Sequence, residues 1–288
     1  MNYKYKASII IPTYNRSKLL NLSLVSILNQ SVSKEIFEVI VIDDGSEDNT
    51  RDVCKEFSDR LNIKYFYQEH KGFRAATARN TGIKNSEGEV CIFLDSGVLL
   101  AKNAIQEQLK SHSSDEEYAF LGYMYGFDEH NENNETMLKM NINPDDVDTY
   151  IDILERDRIY DLREKQYQKL GDDLGKWPAP WTIFWTGYLS VKRDVLVKVG
   201  MFDEKFNSWG MEDIDLGIAL YVNNVKITLN RNLKSIHYPH EKFRPSMKES
   251  ELKALLLEKK KYINQKYNLE STKLYITNNW SEINPLLL

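Results

Sequence analysis

An α/β fold with a mostly parallel sheet is predicted by two features of the chain. The first half alternates short apolar runs with segments of helical periodicity. Two of those runs end in acid and glycine. Val41-Ile42-Asp43-Asp44-Gly45 continues Glu38-Val39-Ile40, and Val90-Cys91-Ile92-Phe93-Leu94 leads into Asp95-Ser96-Gly97. Strands covered on both faces read as continuous apolar runs. Open sheets of this kind bind ligands beyond the carboxyl ends of their strands. One polar cleft at those two acidic ends is the expectation.

The elements follow in order. Ala7–Ile11 reads as a strand stopped by Pro12. A helix from Ser17 to Gln30 carries Leu20, Leu24, Ile27 and Leu28 at helical spacing. Then come a strand Glu38–Ile42, a helix Asp48–Leu61 with Val53, Phe57 and Leu61 on one face, and a strand Ile63–Tyr67. Residues 72–85 read as a small-sided helix, Val90–Leu94 as a fourth strand and Lys102–His112 as a helix. Alternation of this kind implies right-handed crossovers and helices on both faces. Ala119–Met124 reads as one more strand. Residues 128–150 are polar and read as an exposed insertion, and 151–170 as a charged helix. Order returns with the aromatic stretch Trp177–Tyr188, a helix from Arg193, a helix Glu212–Val222 and a strand Val225–Leu229. The tail, Ser246–Tyr267, reads as an amphipathic helix with Leu252, Leu255, Leu256 and Ile263 on one side. Its Lys259-Lys260-Lys261 run reads as a wet face, with peripheral membrane contact as the second reading.

Bulk properties narrow the class. The 288 residues suffice for one large or two small domains. A formal charge of −5 argues against nucleic acid as a partner. No stretch has the length and purity of a transmembrane helix. The N-terminal residues lead straight into a strand without a signal-peptide core, so a cytoplasmic protein is expected. The two cysteines, Cys54 and Cys91, fall in apolar patterns and read as small buried hydrophobes.

The first strand is followed by Pro12-Thr13-Tyr14-Asn15-Arg16 rather than a glycine-rich loop. That excludes the dinucleotide fingerprint and the P-loop. It also weakens a sugar nucleotidyltransferase reading. Tyr14 at a strand end can stack on a flat base, and Asp44 at the next strand end can accept a ring N–H. Together they suit a pyrimidine.

Several motifs now stand in one order. Ile9-Ile10-Ile11-Pro12-Thr13-Tyr14-Asn15-Arg16, Val41–Ser46, Ala78-Arg79-Asn80-Thr81-Gly82 and Phe93–Gly97 resemble the nucleotide-binding half of family 2 glycosyltransferases of the GT-A fold. Thr186-Gly187, Ser190–Arg193, Val199–Glu204 and Trp209-Gly210-Met211-Glu212-Asp213-Ile214-Asp215 resemble a galactosyltransferase-type C-terminal region. The resemblance spans residues 7–113 and 177–240. It implies a GT-A-like, Rossmann-like single domain. Residues 1–115 would be its nucleotide-sugar-binding half and 116–245 its acceptor-binding and catalytic half, with an insertion at 128–170. Residues 246–288 form a helical tail.

The resemblance also implies roles. Thr13, Tyr14 and Asp44, with Pro12 and Arg16 of the same run, match positions around uracil and ribose. Asp43 is expected to brace the turn. Arg79 matches a basic residue near the base and phosphates. Asp95, followed by Ser96, matches the first acid of an Asp-x-Asp motif that holds ribose and a divalent metal, Mn²⁺ or Mg²⁺. Gly97 stands where the second acid belongs, and that departure puts the metal in doubt. His237 or His240 would complete the site, with His237 favoured. The alternative is charge neutralisation by Arg79 or Lys71 without metal.

Asp213 matches the catalytic base and Glu212 a hydroxyl-binding acid, the base expected to stay ionised at a helix N-terminus. The competing reading of both is a helix cap. Trp209, beside the base, is the expected sugar-stacking residue; Trp177, Trp181 and Trp185 read equally well as core. The implied activity is inverting transfer of a hexose or N-acetylhexosamine from a UDP-sugar to a glycan, lipid-linked sugar, small natural product or peptide. The rivals are a non-catalytic nucleotide-sugar-binding protein and a nucleotidyltransferase.

Overall fold

In the computed structural model, residues 3–128, 132–241 and 247–288 are described. The first half runs β1 (Tyr5–Thr13), α1 (Ser17–Leu28), β2 (Phe37–Asp43), α2 (Thr50–Phe57), β3 (Ile63–Tyr67), α3 (Ala75–Asn85) and β4 (Gly88–Leu94). The second half runs β5 (Val98–Leu100), α4 (Ala104–Ser111), β6 (Tyr118–Tyr125), α5 (Asn134–Lys139), α6 (Val147–Arg156), α7 (Glu164–Leu170), β7 (Tyr188–Lys192), α8 (Arg193–Lys198), α9 (Glu212–Val222) and β8 (Lys226–His237). The tail is α10 (Glu249–Tyr267), α11 (Glu270–Thr277) and α12 (Trp280–Leu287).

The strands make one sheet in the order β3-β2-β1-β4-β7-β6-β8-β5. The first four are parallel throughout. β7 is antiparallel to both β4 and β6, while β6 and β8 are parallel. Period-2 alternation divides the apolar residues of the parallel half. Ile9, Ile11, Val39, Val41 and Ile92 pack with Leu20, Leu24 and Ile27 of α1 and Phe57 of α2. Ile10, Ile40, Ile42 and Phe93 face the other way, toward Ala76, Ala78 and Ile83 of α3. Gly82 allows that close approach, since a Cβ there would lie 2.4 Å from Ile10 Cγ2.

Several boundaries differ from the expectation for identifiable reasons. β1 continues through Pro12 to Thr13. Thr13 O accepts from Asp44 N of the neighbouring strand, so Pro12, one residue earlier, turns its nitrogen toward β4. Pairing with β4 ends at Ile10, and the missing N–H breaks no ladder bond. β5 was not anticipated, because three residues carry no periodic signal. β8 has twelve residues and includes His237 as its last.

The polar insertion is not simply exposed. It contains α5, whose Met137 is fully buried, and Ile142 and Val147 join the same core. The charged segment after it is two helices, α6 and α7, separated by the buried pair Asp161–Arg163 at 2.6 Å. Residues 129–131 of the insertion and Ser246 of the tail lie outside the described residues.

The lysine run of α10 is not a uniform wet face either. Lys259 is 9% exposed, Lys260 donates to Asn278 O, and only Lys261 pairs on the surface, with Glu258. Cys54 and Cys91 are buried free thiols, and burial pushes both up to about 12. Among the described residues no helix is long and apolar enough to cross a membrane.

Candidate active site

The carboxyl ends of β1, β2 and β4 deliver Thr13, Asp43 and Leu94 to one sheet edge, and the loops beyond them carry the polar groups. β1 lies between β2 and β4, so Asp44 and Asp95 follow the ends of strands that flank it on either side. Asp43 closes its own turn, accepting from Ser46 N at 2.7 Å and Tyr65 OH at 2.6 Å. Asp44 is buried, and its Oδ1 accepts from Gln68 Nε2 at 2.6 Å and Arg74 Nη2 at 2.8 Å. Tyr14 stacks on His70 with ring centroids 4.1 Å apart and planes 8° from parallel. His70 Nδ1 lies 2.9 Å from Asp44 O. Thr13 Oγ1 is buried here without a hydrogen-bond partner. Gln68, His70 and Arg74 were missed from the sequence. They follow β3 directly, and a polar segment after a third strand end at the same edge was the available signal.

The second acidic group meets the first through Arg79. This residue of α3 is 5% exposed. Its Nη1 donates to Glu212 Oε1 at 2.9 Å and its Nη2 to Asp95 Oδ1 at 3.1 Å. Burial works against the guanidinium charge, but Asp95, Glu212 and Asp213 outweigh it and raise its affinity for the proton. The next residue, Asn80, clamps the second half onto α3. Its Nδ2 donates to Phe202 O and its Oδ1 accepts from Phe202 N, both at 2.9 Å. The Arg79-Asn80 pair thus positions a charge and a loop from adjacent helical positions.

Glu212 is buried, with Oε2 lacking a partner, while Asp213 is half-buried. Burial, then the charge of Glu212, pushes the Asp213 carboxyl up to about 8. Arg79 and the Ile214 N–H, 2.8 Å from Oδ1, pull the other way without prevailing. Against the expectation that the start of α9 keeps this acid ionised, its surroundings favour the protonated form. The dipole of a helix end is weaker than desolvation beside a second carboxylate. The residue before α9, Met211, has φ +79°. A non-glycine residue in that region stores about 1–3 kcal/mol of strain, and such strain gathers at functional sites.

The third corner holds Gly97 and the histidines. Gly97 has φ +98°, a conformation that disfavours any side chain, so an acid at this position would be strained. Ser96 Oγ donates to Pro12 O at 3.2 Å, tying this turn to β1. Tyr238 N donates to Gly97 O, which lays the end of β8 along the turn. His240 Nδ1 donates to Tyr238 O at 2.8 Å, and Arg16 Nη1 donates to His240 Nε2 at 2.9 Å. The His237 ring lies 4.9 Å from that of His240 and 5.0 Å from Phe127. Among the described residues no three His, Cys, Asp or Glu converge as a metal-ligand set. Of the expected ligands, Asp95 Oδ1 accepts from Arg79 and His240 Nε2 from Arg16. A carbonyl on Nδ1 leaves the Nε2 lone pair facing outward, the arrangement that ligating imidazoles adopt. Arg16 is the cation on that lone pair here.

Of the tryptophans, Trp177 and Trp181 are core residues, and Trp185 packs edge-on against Trp280. Trp209 is half-exposed. Lys71 is exposed and pairs with Glu69. A hollow of about 380 Å³, lined by Gln166, Lys169 and Leu286 among others, contains none of the site carboxylates.

The chain resembles known proteins in sequence and in fold. The sequence model described as Glycosyl transferase family 2 matches residues 8–196. A second, described as N-terminal domain of galactosyltransferase, matches residues 171–241. The chain is 37% identical over 237 residues to validoxylamine A glucosyltransferase of Streptomyces hygroscopicus subsp. jinggangensis, covering 82% of this chain and 56% of that one. It is 30% identical to chondroitin synthase of Pasteurella multocida, covering 77% of this chain and 23% of the relative. The chain thus spans about half the length of the first relative and less of the second. Among solved structures it resembles S. aureus TarS 1–349 in complex with UDP-GlcNAc, with TM-score 0.63 and 20% identity over 90% of this chain and 65% of that one. It also resembles a mannosyltransferase from Pyrobaculum calidifontis in complex with GDP-Man and Mn²⁺, with TM-score 0.61 and 16% identity over 99% and 69% of the two chains.

Proposed function

The chain belongs to glycosyl transferase family 2, and on that premise we propose that it transfers a hexose or N-acetylhexosamine from a UDP-sugar to an acceptor nucleophile with inversion. The observation that carries the reading is the Arg79 bridge. One buried guanidinium touches both the acid at the end of β4 and the acid that opens α9. The donor-phosphate side and the acid–base side of a transfer site are thereby adjacent.

The residues then take these roles. Tyr14, Thr13 and Asp44 hold uracil and ribose, with Pro12 and Ser96 shaping the floor. Asp44 Oδ1 already accepts twice, so Oδ2 receives the ring N–H. Arg79 and Arg16 stand near the diphosphate. Asp95 and His240 would hold a divalent ion, which supplies positive charge to the leaving group. His240 has the stronger case over His237 because its lone pair already engages a cation. Asp213 removes the acceptor proton as the nucleophile bonds to the anomeric carbon. The bond from that carbon to the β-phosphate oxygen breaks, and UDP departs with the electron pair. Glu212 holds a hydroxyl, and Trp209 stacks on a sugar face.

The first test needs no acceptor. UDP-glucose, UDP-galactose and UDP-GlcNAc are incubated with the protein, with Mn²⁺ or with EDTA. Slow release of UDP from at least one donor is expected, faster with Mn²⁺. Inert donors that yield UTP and sugar 1-phosphate only once pyrophosphate is added would make it a nucleotidyltransferase. Tight donor binding without turnover, in water or with any acceptor, would make it a binding protein.

A second test concerns the base pocket. Asp44→Ala removes an acceptor worth about 1.5–3 kcal/mol when charged. UDP affinity measured by calorimetry should fall roughly tenfold to a hundredfold. Unaltered affinity would remove Asp44 from the pocket.

A further inference from the structure

The tail helix α10 meets the acidic centre with a polar stripe that runs beside the buried Ile263. Lys259, Tyr262 and Lys266 recur at helical spacing on its inner side. Lys266 Nζ bonds Asp215 Oδ2 at 2.8 Å and Asp203 Oδ2 at 2.9 Å, and Tyr262 OH donates to the same Asp203 oxygen at 2.7 Å. Lys259 does something different. Its Nζ donates to three successive backbone carbonyls, Ser208 O at 2.8 Å, Trp209 O at 2.8 Å and Gly210 O at 2.9 Å. An ammonium has three donors. All three are used on one loop.

We propose that Lys259 is a positioning residue for transfer: its ammonium gathers the carbonyls of residues 208–210 and thereby fixes Trp209 and the start of α9, where Glu212 and Asp213 sit. The loop needs such a fastening. Gly210 and Met211 both have positive φ, so the chain reverses sharply there, and only the surroundings hold Met211 in that state. Tyr275 OH supplies a second hold, 3.4 Å from Met211 Sδ. Buried polar groups are expensive unless paired, so Lys259 and the three carbonyls each require the other. The electrostatics agree. Burial lowers Lys259 to about 8, while Glu212 and Asp213 favour its charged form. Ionisation of the base and retention of the fastening therefore support one another.

The inference rests on Asp213 as base, and the experiment keeps the two claims apart. Lys259→Met keeps most of the unbranched stem and removes every donor. UDP affinity should stay within about twofold, because the base pocket lies on the other half of the chain. Turnover of UDP-sugar at saturating donor should fall at least tenfold, and hydrogen–deuterium exchange over residues 207–214 should accelerate. Unchanged turnover, unchanged exchange, or a parallel loss of affinity and turnover would each overturn the proposal. If Lys259→Met does not fold, Lys259→Gln keeps two donors on a shorter stem and should lose several-fold in turnover; full activity in that variant would overturn it. Asp213→Asn is assayed alongside. Retained turnover there defeats the base assignment, whatever Lys259→Met does.

Discussion

Asp213→Asn should lower turnover by about 10²–10⁴-fold while leaving UDP affinity within about twofold. Asparagine keeps the shape and cannot take a proton. The proposed nucleotide pocket is built from β1, β2 and the segment after β3, so it should not register the change. The pH profile is the sharper readout. Burial and Glu212 raise Asp213 to about 8. A base works deprotonated, so kcat/KM of the free enzyme should rise about tenfold per pH unit up to roughly that value and then level. Stability moves in the opposite sense. An unfolded Asp titrates near 3.8, so between about pH 4 and 8 the folded protein binds the extra proton. Stability from this group then falls as pH rises, and thermal midpoints of Asp213→Asn should be flatter over the same window. A variant retaining more than a tenth of wild-type turnover would remove Asp213 as the base.

Much of this site was legible because its backbone is regular. Apolar runs ending in acid mark strand ends, and strand ends of a parallel sheet share an edge. Asp44 and Asp95 followed from that rule alone. Glu212 and Asp213 followed from motif order, since nothing local joins residue 212 to residue 79. Tertiary groups were not legible. His70 and Arg74 sit in an irregular segment without periodicity, and their approach to Asp44 depends on where β3 pairs. Lys259 was hidden by its neighbours. Among three consecutive lysines no pattern tells which turns inward, and the leucines alone mark a helix face. The environment that raises Asp213 is hidden from the sequence for a related reason. A helix start is visible in sequence, whereas desolvation is visible only in the fold. Met137 illustrates the same limit, a single apolar residue in a polar insertion that nevertheless reaches the core.

Arg79 is the residue through which these charges become one centre, and its removal should cost substantial stability. Its side chain is 6% exposed and that of Glu212 is 7% exposed, whereas Asp95 is 43% exposed. Water can therefore rescue Asp95 but not Glu212. Deleting one partner of a buried pair costs about 3–5 kcal/mol, because the other is left charged and unpaired. Arg79→Met, which fills similar space, should lower the thermal midpoint on the order of 6–12 °C. Lysine is a poor substitute, since a point charge cannot bridge two carboxylates as a planar fork does.

The diagnostic experiment is the cycle with Glu212→Gln. In the Arg79→Met background that second change removes the stranded charge, so the double variant should recover roughly 1–3 kcal/mol relative to additivity. Turnover should stay low in both, because the diphosphate loses the Arg79 guanidinium. Thermal shifts that simply add would mean that the two side chains do not depend on one another, and the bridge between the nucleotide half and the acid centre would then contribute nothing to the fold.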